Sequence, residues 1–252
     1  MNEPQLVAAL RSAGCVFAEE EARLLTEEAS SPAELMAWTA RRMAGEPLEQ
    51  IVGWAGFAGL RVAVAPGVFV PRRRTELLVR LAAASRPTVV VDLCCGTGAV
   101  GAALADRLPD AEVWAADVDP DAVACARRNL PPERVREGDL YAALPDDLRG
   151  RVDVLAVNAP YVPTDEVAQM PREARDHEHR VALDGGGDGL DVQRRVVAEA
   201  GSWLSPAGVL LVETSRGQAD RTRALFAAAG LETRVETDDE LSATVVLGRH
   251  RA

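Results

Sequence analysis

Hydrophobic and polar positions along this chain change period twice. Over residues 3 to 45 the apolar positions recur at helical spacing. Leu6 and Leu10, with Val7 beside them, give one face, and Ala22, Leu24 and Leu25 lie in an acidic second segment. Ser31-Pro32-Ala33-Glu34 reads as a helix start, with Ser31 as N-cap, Pro32 at the first position and Glu34 at the third. Leu35, Met36, Trp38 and Met43 follow on that helix. Residues 50 to 70 then alternate: Ile51 to Trp54 and Leu60 to Val64, separated by glycines, predict a β-hairpin, and Pro66-Gly67 a turn.

From Thr88 onward strands and helices alternate. The runs Val89 to Asp92, Glu112 to Asp117, Arg134 to Glu137, Val152 to Asn158 and Val209 to Glu213 predict strands. Helices are predicted at Leu77 to Ala84, Ala99 to Leu108, Pro120 to Asn129, Leu190 to Leu204 and Gln218 to Ala229. Glu232 to Glu236 and Ala243 to Gly248 are joined only by Thr237 to Ser242, so they should pair antiparallel. The expectation is an α/β fold: an open, seven-stranded, mostly parallel sheet with an antiparallel last strand. Three segments follow: a helical one over 1–47, a hairpin linker over 48–72 and the α/β domain over 73–252.

Composition narrows this. With 252 residues and 48% apolar content the chain suits one sizeable domain with a small appendage. A net charge of −11 leaves no general attraction to nucleic acid or anionic lipid. Cys15, Cys94, Cys95 and Cys125 show no metal spacing and read as reduced thiols. No apolar run approaches the roughly 18 residues a membrane span needs. The start, Met1-Asn2-Glu3-Pro4, lacks the basic and apolar regions of a signal peptide, so a cytoplasmic protein is expected.

The chemistry concentrates at the predicted strand ends. The strand at Val152 stops at Asn158-Ala159-Pro160-Tyr161, because Pro160 cannot donate to a ladder. An amide, two carbonyls and an aromatic face are thereby presented together where α/β sheets bind ligands. Gly96-Thr97-Gly98-Ala99-Val100-Gly101 fits G-x-G-x-x-G, with Asp117 at about the spacing of a ribose-binding acid. That motif alone allows a nicotinamide enzyme. Asp92 beside the turn would repel a pyrophosphate but could hold an ammonium group. The set Asp92, Asp117 and Asp139 therefore suits a ligand with hydroxyls and an ammonium but no phosphates, and S-adenosylmethionine is such a ligand. Gly96 and Gly98 let the backbone approach it, Asp117 accepts from the ribose hydroxyls, and Asp139 accepts from the adenine amino group with Leu140 on the ring.

Two further stretches have bland and sharp readings. Arg72-Arg73-Arg74 reads first as a solvated face, yet it precedes the helix at Leu77, where cations are unfavourable, which favours pairing or function. Asp176-His177-Glu178-His179 reads as a solvated loop rather than a metal site. It lies in a connection over 159–189, long enough to cover a site.

The corner Asn158 to Tyr161 resembles the Asn/Asp-Pro-Pro-Tyr corner of methyltransferases acting on planar nitrogens. The resemblance widens through Pro47 to Gly53, Pro66 to Arg72 with Thr75 to Val79, Ala182 to Gly186, Asp188 to Asp191, Glu213 with Gln218, and Val246 to Arg249. Together these are similar to the HemK/PrmC family, whose members methylate a glutamine amide in the Gly-Gly-Gln motif of peptide-chain release factors. The resemblance implies a Rossmann-like class I methyltransferase domain using S-adenosyl-L-methionine, with contacts at Cys94, Cys95, Gly96, Thr97, Gly98, Asp117, Leu140 and Asn158. It implies a glutamine held at Asn158, Ala159, Pro160 and Tyr161, bordered by Phe69, Arg72 and Thr75, and a release factor as partner, with no membrane and no direct nucleic acid. Four departures stand out, one of them an amino-terminal helical part shorter than the one that helps dock the release factor in the family. Ala159 replaces a proline and keeps its carbonyl but loses stiffness. Cys94 replaces the first glycine of the turn, which implies a position that does not need positive φ. Arg73-Arg74 stands where the family has Pro-Glu. A small-molecule or nucleic-acid amino acceptor, or a cofactor-binding scaffold, remains the competing class.

Overall fold

The computed structural model describes residues 2–250; Met1, Arg251 and Ala252, at the ends of the expected first and last segments, lie outside the described residues. Three helices come first: α1 (Glu3–Ser12), α2 (Ala18–Glu28) and α3 (Pro32–Met43). Asn2 caps α1 in a capping box with Gln5, and Ser31 caps α3 by accepting from the Glu34 N–H at 3.2 Å. Leu6, Leu10, Ala18, Ala22 and Leu25 form their shared core. Inside it the Arg42 guanidinium grips Glu21 through two nitrogens, at 2.6 and 3.0 Å, with both side chains about one-tenth exposed or less.

The expected hairpin starts later than its alternation suggested. Leu48–Val52 is a short helix, α4, closed by Gly53 in a left-handed conformation, and the strands are β1 (Trp54–Phe57) and β2 (Leu60–Ala63). Helix wins at Ile51-Val52 because Gln50 is drawn inward, where its amide bonds the carbonyls of Val68 and His177.

The remaining elements are α5 (Glu76–Ala84), β3 (Val89–Leu93), α6 (Ala99–Arg107), β4 (Glu112–Asp117), α7 (Pro120–Ala126), β5 (Val135–Glu137), β6 (Val152–Val157), α8 (Arg172–His177), α9 (Asp191–Trp203), β7 (Leu204–Glu213), α10 (Ala219–Ala228), β8 (Leu231–Asp238) and β9 (Ala243–His250). The main sheet runs β5-β4-β3-β6-β7-β9-β8, parallel except for β9, which pairs antiparallel with both neighbours. This is the expected seven-stranded sheet. Its central strands are buried on both faces, as their unbroken apolar runs require. Val90, Ala115, Val154 and Leu211 pack with residues of α5, α6 and α7. Val91, Leu155, Leu210 and Val246 pack on the opposite face with Val196, Trp203 and Phe226 of α9 and α10.

Two boundaries differ from the pattern for identifiable reasons. Helix α7 ends at Ala126 rather than Asn129, and the Asn129 amide bonds Ala63 O at 2.9 Å and Thr97 O at 2.8 Å, tying the hairpin to the glycine turn. Strand β7 begins at Leu204, directly after α9, with a register irregularity against Val152 and Val154 of β6. No helix among the described residues is long and apolar enough to cross a membrane.

Arg42→Ala leaves the Glu21 carboxylate buried without its partner. We expect a loss of about 3 kcal/mol in urea unfolding, most of it recovered in the double variant Arg42→Met, Glu21→Leu. An unchanged unfolding midpoint for Arg42→Ala would show that this pair does not hold the helices together.

Candidate active site

The carboxyl ends of β3, β4, β5 and β6 open onto one cavity of about 380 Å³. After β3 the chain turns tightly, with Cys94 (φ +59°), Gly96 (+54°) and Gly98 (+73°) all left-handed. Cys94 therefore does occupy a positive-φ position, contrary to the expectation, at a strain of roughly 1–2 kcal/mol. Cys94, Cys95, Gly96 and Thr97 line the cavity, whereas Gly98 does not. A Cβ on Gly98 would lie 3.0 Å from that of Ala126 and 3.1 Å from Leu130, so this glycine serves the packing of α6 on α7.

Two carboxylates face the cavity from adjacent strand ends. Asp92, 2% exposed, accepts one hydrogen bond, from the Gly101 N–H at 2.8 Å. Burial pushes its pKa up to about 8, with that single N–H working the other way. Asp117 accepts from the Gly96 N–H at 2.8 Å and the Asp119 N–H at 3.0 Å, one on each oxygen, leaving lone pairs on both. Burial raises its pKa too, with those N–H groups opposing. Asp139 sits at the rim, its Oδ2 held by Arg195 at 2.6 Å, and Leu140 beside it is buried. Val118 lines the same region though 48% exposed, and the sequence reading missed it.

The corner after β6 forms the next wall. Val157 is the last residue of β6 in register, and Asn158, Ala159, Pro160 and Tyr161 all line the cavity. Asn158 Nδ2 donates to Thr75 Oγ1 at 3.4 Å. Neither Asn158 Oδ1 nor the Ala159 carbonyl accepts a hydrogen bond from a described residue. The stiffness missing at Ala159 is supplied from outside. Gln218 Nε2 donates to Tyr161 O at 2.9 Å, and Val162 exchanges backbone bonds with Leu183 and Gly185 at 3.1 and 2.8 Å. Gly185 packs so closely that a Cβ would lie 2.8 Å from both Pro160 O and Tyr161 Cα.

Phe69 and Thr75 line the cavity, but Arg72 does not. Its guanidinium bonds Glu178 and lies over the Phe69 ring, 4.9 Å from the centroid. Arg74, which the site assignment omitted, does line it, and its Nε bonds Glu213 at 3.1 Å. Two of the three arginines are thus paired, and Arg73 is exposed. Burial raises the pKa of the Tyr161 phenol, and the nearby Glu213 adds to the rise while Arg74 opposes it.

The connection between β6 and α9 closes the cavity with Met170, Val181, Ala182 and Leu183. The solvated reading of Asp176 to His179 holds for Asp176 but not for the last two residues. Glu178 is 5% exposed and accepts from the Val70 N–H at 3.1 Å, and burial raises its pKa. The His179 N–H donates to Gly67 O at 2.7 Å, and its Nδ1 lies 2.6 Å from Asp119 Oδ2. Asp119, Asp121 and His179 bring one ligand atom each within 4.8 Å of one another, and the direct His179–Asp119 contact already accounts for their closeness.

The Methyltransferase small domain model matches residues 59–180. A protein of Geobacter sulfurreducens named "Release factor glutamine methyltransferase" is 39% identical over 79% of this chain and 72% of its own length. A "4-amino-L-phenylalanine/4-methylamino-L-phenylalanine methyltransferase" of Streptomyces pristinaespiralis is 37% identical over 79% of this chain and 71% of its own. Among solved structures, a methyltransferase from Pyrococcus furiosus superposes with a TM-score of 0.56 at 16% identity, covering 84% of this chain and 98% of its own, a likeness of fold.

Gly98→Ala introduces both a strained φ and a clash with Ala126. We expect a loss of about 2 kcal/mol in chemical denaturation without ligand. Unchanged stability would mean that α6 and α7 can part without cost.

Proposed function

Because the chain belongs to the HemK/PrmC family of release factor glutamine methyltransferases, we propose that it methylates a glutamine side-chain amide in a protein, using S-adenosyl-L-methionine. The Gly-Gly-Gln motif of a peptide-chain release factor is the acceptor this reading names, and the cytoplasm is its place. The observation that carries it is the corner. Asn158 Oδ1 and the Ala159 carbonyl are two unengaged acceptors beside the Tyr161 ring, in a cavity shared with Asp92 and Asp117.

The residues present fit the cofactor. Asp92 is a buried carboxyl with no countercharge beside it, suited to an ammonium group. Asp117 has lone pairs for two ribose hydroxyls. Leu140 and Val118 offer apolar surface for adenine, and Asp139 Oδ1 an acceptor for its amino group. The bound cofactor supplies an activated methyl group on a sulfonium, so the protein's task is positioning.

An amide nitrogen is a poor nucleophile because its lone pair is delocalised into the carbonyl. Asn158 Oδ1 and Ala159 O accept its two hydrogens and fix the direction of the lone pair. Tyr161 stacks on the planar group, and the 163–189 connection, through Met170 and Leu183, keeps water out. Arg74 lines the same cavity with its charge offset by Glu213, leaving its remaining N–H groups as donors there.

Labelled cofactor, purified protein and a release factor should yield N5-methylglutamine by mass spectrometry. Label on 4-amino-L-phenylalanine instead would transfer the assignment to the free aromatic amine named by the Streptomyces relative. Asn158→Ala should lower turnover by about 100-fold or more while leaving most cofactor affinity; full activity would remove its role.

Cofactor binding should also release a proton at pH 7. The free carboxyl of Asp92, at about 8, is mostly protonated there, and an ammonium beside it lowers its pKa. Affinity should accordingly weaken as pH falls below about 8. Calorimetric enthalpies at pH 7 should vary with buffer ionisation heat, with a slope near one proton that is absent in Asp92→Asn. A zero slope in the wild type would rule out this pairing.

A further inference from the structure

Phe69 forms part of the cavity wall, yet no regular element fixes it. It lies between β2 and α5, in neither a helix nor a strand. What holds this segment comes from elsewhere in the chain. Gln50 Nε2 donates to Val68 O at 3.0 Å, and the His179 N–H donates to Gly67 O at 2.7 Å. Glu178, the residue after α8, has a fully buried side chain. Its Oε1 accepts from the Val70 N–H at 3.1 Å and from an Arg72 guanidinium nitrogen at 2.5 Å. The Arg72 guanidinium in turn lies over the Phe69 ring, 4.9 Å from its centroid. Phe69 lines the cavity and neither Arg72 nor Glu178 does, so carboxylate, guanidinium, ring and cavity follow one another in that order.

We propose that Glu178 is a positioning residue: through Arg72 it sets the Phe69 ring as the wall against which the methyl acceptor packs. A buried carboxylate persists where it is paired, and Arg72 is the cation hydrogen-bonded to this one among the described residues. Guanidinium N–H groups lie in the plane of the group, so Arg72 can bond Glu178 at its edge and still offer a flat face to the ring. The same Glu178 oxygen takes the Val70 N–H, next in the chain to Phe69. One carboxylate therefore fixes both the backbone that carries the ring and the group behind it. Thr75, six residues on from Phe69, bonds Asn158 at 3.4 Å, which places this wall beside the corner. Glu178 also belongs to the connection whose Met170 and Val181 close the cavity, so cover and wall are joined at this carboxylate. The acceptor's part in this rests on the glutamine reading above; the position of the ring does not.

With 4-fluorophenylalanine at the 4 phenylalanine positions, the Phe69 fluorine resonance is identified by its loss in Phe69→Leu. It should move in Glu178→Gln, which keeps the shape and removes the charge, and in Arg72→Met, which keeps the length and removes the guanidinium. In either variant kcat/KM for a release factor should fall about tenfold, with cofactor affinity within about twofold of wild type. The double variant should lie within about twofold of the single ones, because all three break the same link. A lowered unfolding midpoint with kcat/KM and the fluorine resonance both at wild-type values would mean a merely structural contact and overturns the proposal. So does a moved resonance with wild-type kcat/KM, or a lowered kcat/KM with the resonance unmoved. If the wild type itself methylates no glutamine, moved resonances in both variants keep Glu178 as the residue that places the ring, and the glutamine reading falls instead.

Discussion

One register across the centre of the sheet sets everything else. Leu93 lies opposite Ala116 on one side and Val157 on the other, and Val157 lies opposite Val212. Asp92, Asp117, Asn158 and Glu213 each stand within one residue of that line, at the carboxyl ends of their strands. A one-residue slip of any strand would turn its polar end from the cavity into a helix-covered face. The buried valine and leucine runs hold this register, so the packing of an apolar sheet is what aligns the polar groups.

Much of this could be read from the pattern. Unbroken apolar runs ending in Asp or Asn marked the central strands and their active ends, because a sheet covered on both faces admits little else. The short link between β8 and β9 fixed their antiparallel pairing. What escaped the pattern depends on distant contacts. The helical turn at Leu48–Val52 follows from Gln50 reaching Val68 and His177, a partner 127 positions away. The buried Glu178, the Arg74–Glu213 pair and the grip of Gln218 on the Tyr161 carbonyl are equally non-local. The φ of Cys94 and the packing role of Gly98 show another limit. The motif tells where glycines fall but not which of them the backbone and which the neighbouring helix requires.

Ala159 illustrates how rigidity can be moved. A proline stiffens its own dihedral, whereas here the corner is clamped by neighbours: Gln218 on the Tyr161 carbonyl, backbone bonds to Leu183 and Gly185, and the close approach of Gly185 itself. The 163–189 connection is fastened in turn at Gly67, Val70 and Asp119. The corner side of the cavity therefore inherits its shape from residues far from the corner in sequence.

Arg42 bonds Glu21 within the helical segment and also, at 2.6 Å, Glu173 of α8, while Gln50 bonds the carbonyl of His177 at the end of the same helix. The helices at the start of the chain are in this respect not an interchangeable cassette. A recombination that grafted another amino-terminal segment onto this sheet would have to bring a cation for Glu173 and a donor for His177 O. Without them the segment around α8, whose flanking Met170 and Val181 line the cavity, would lose its anchors, so Arg42 and Gln50 tie the two parts together.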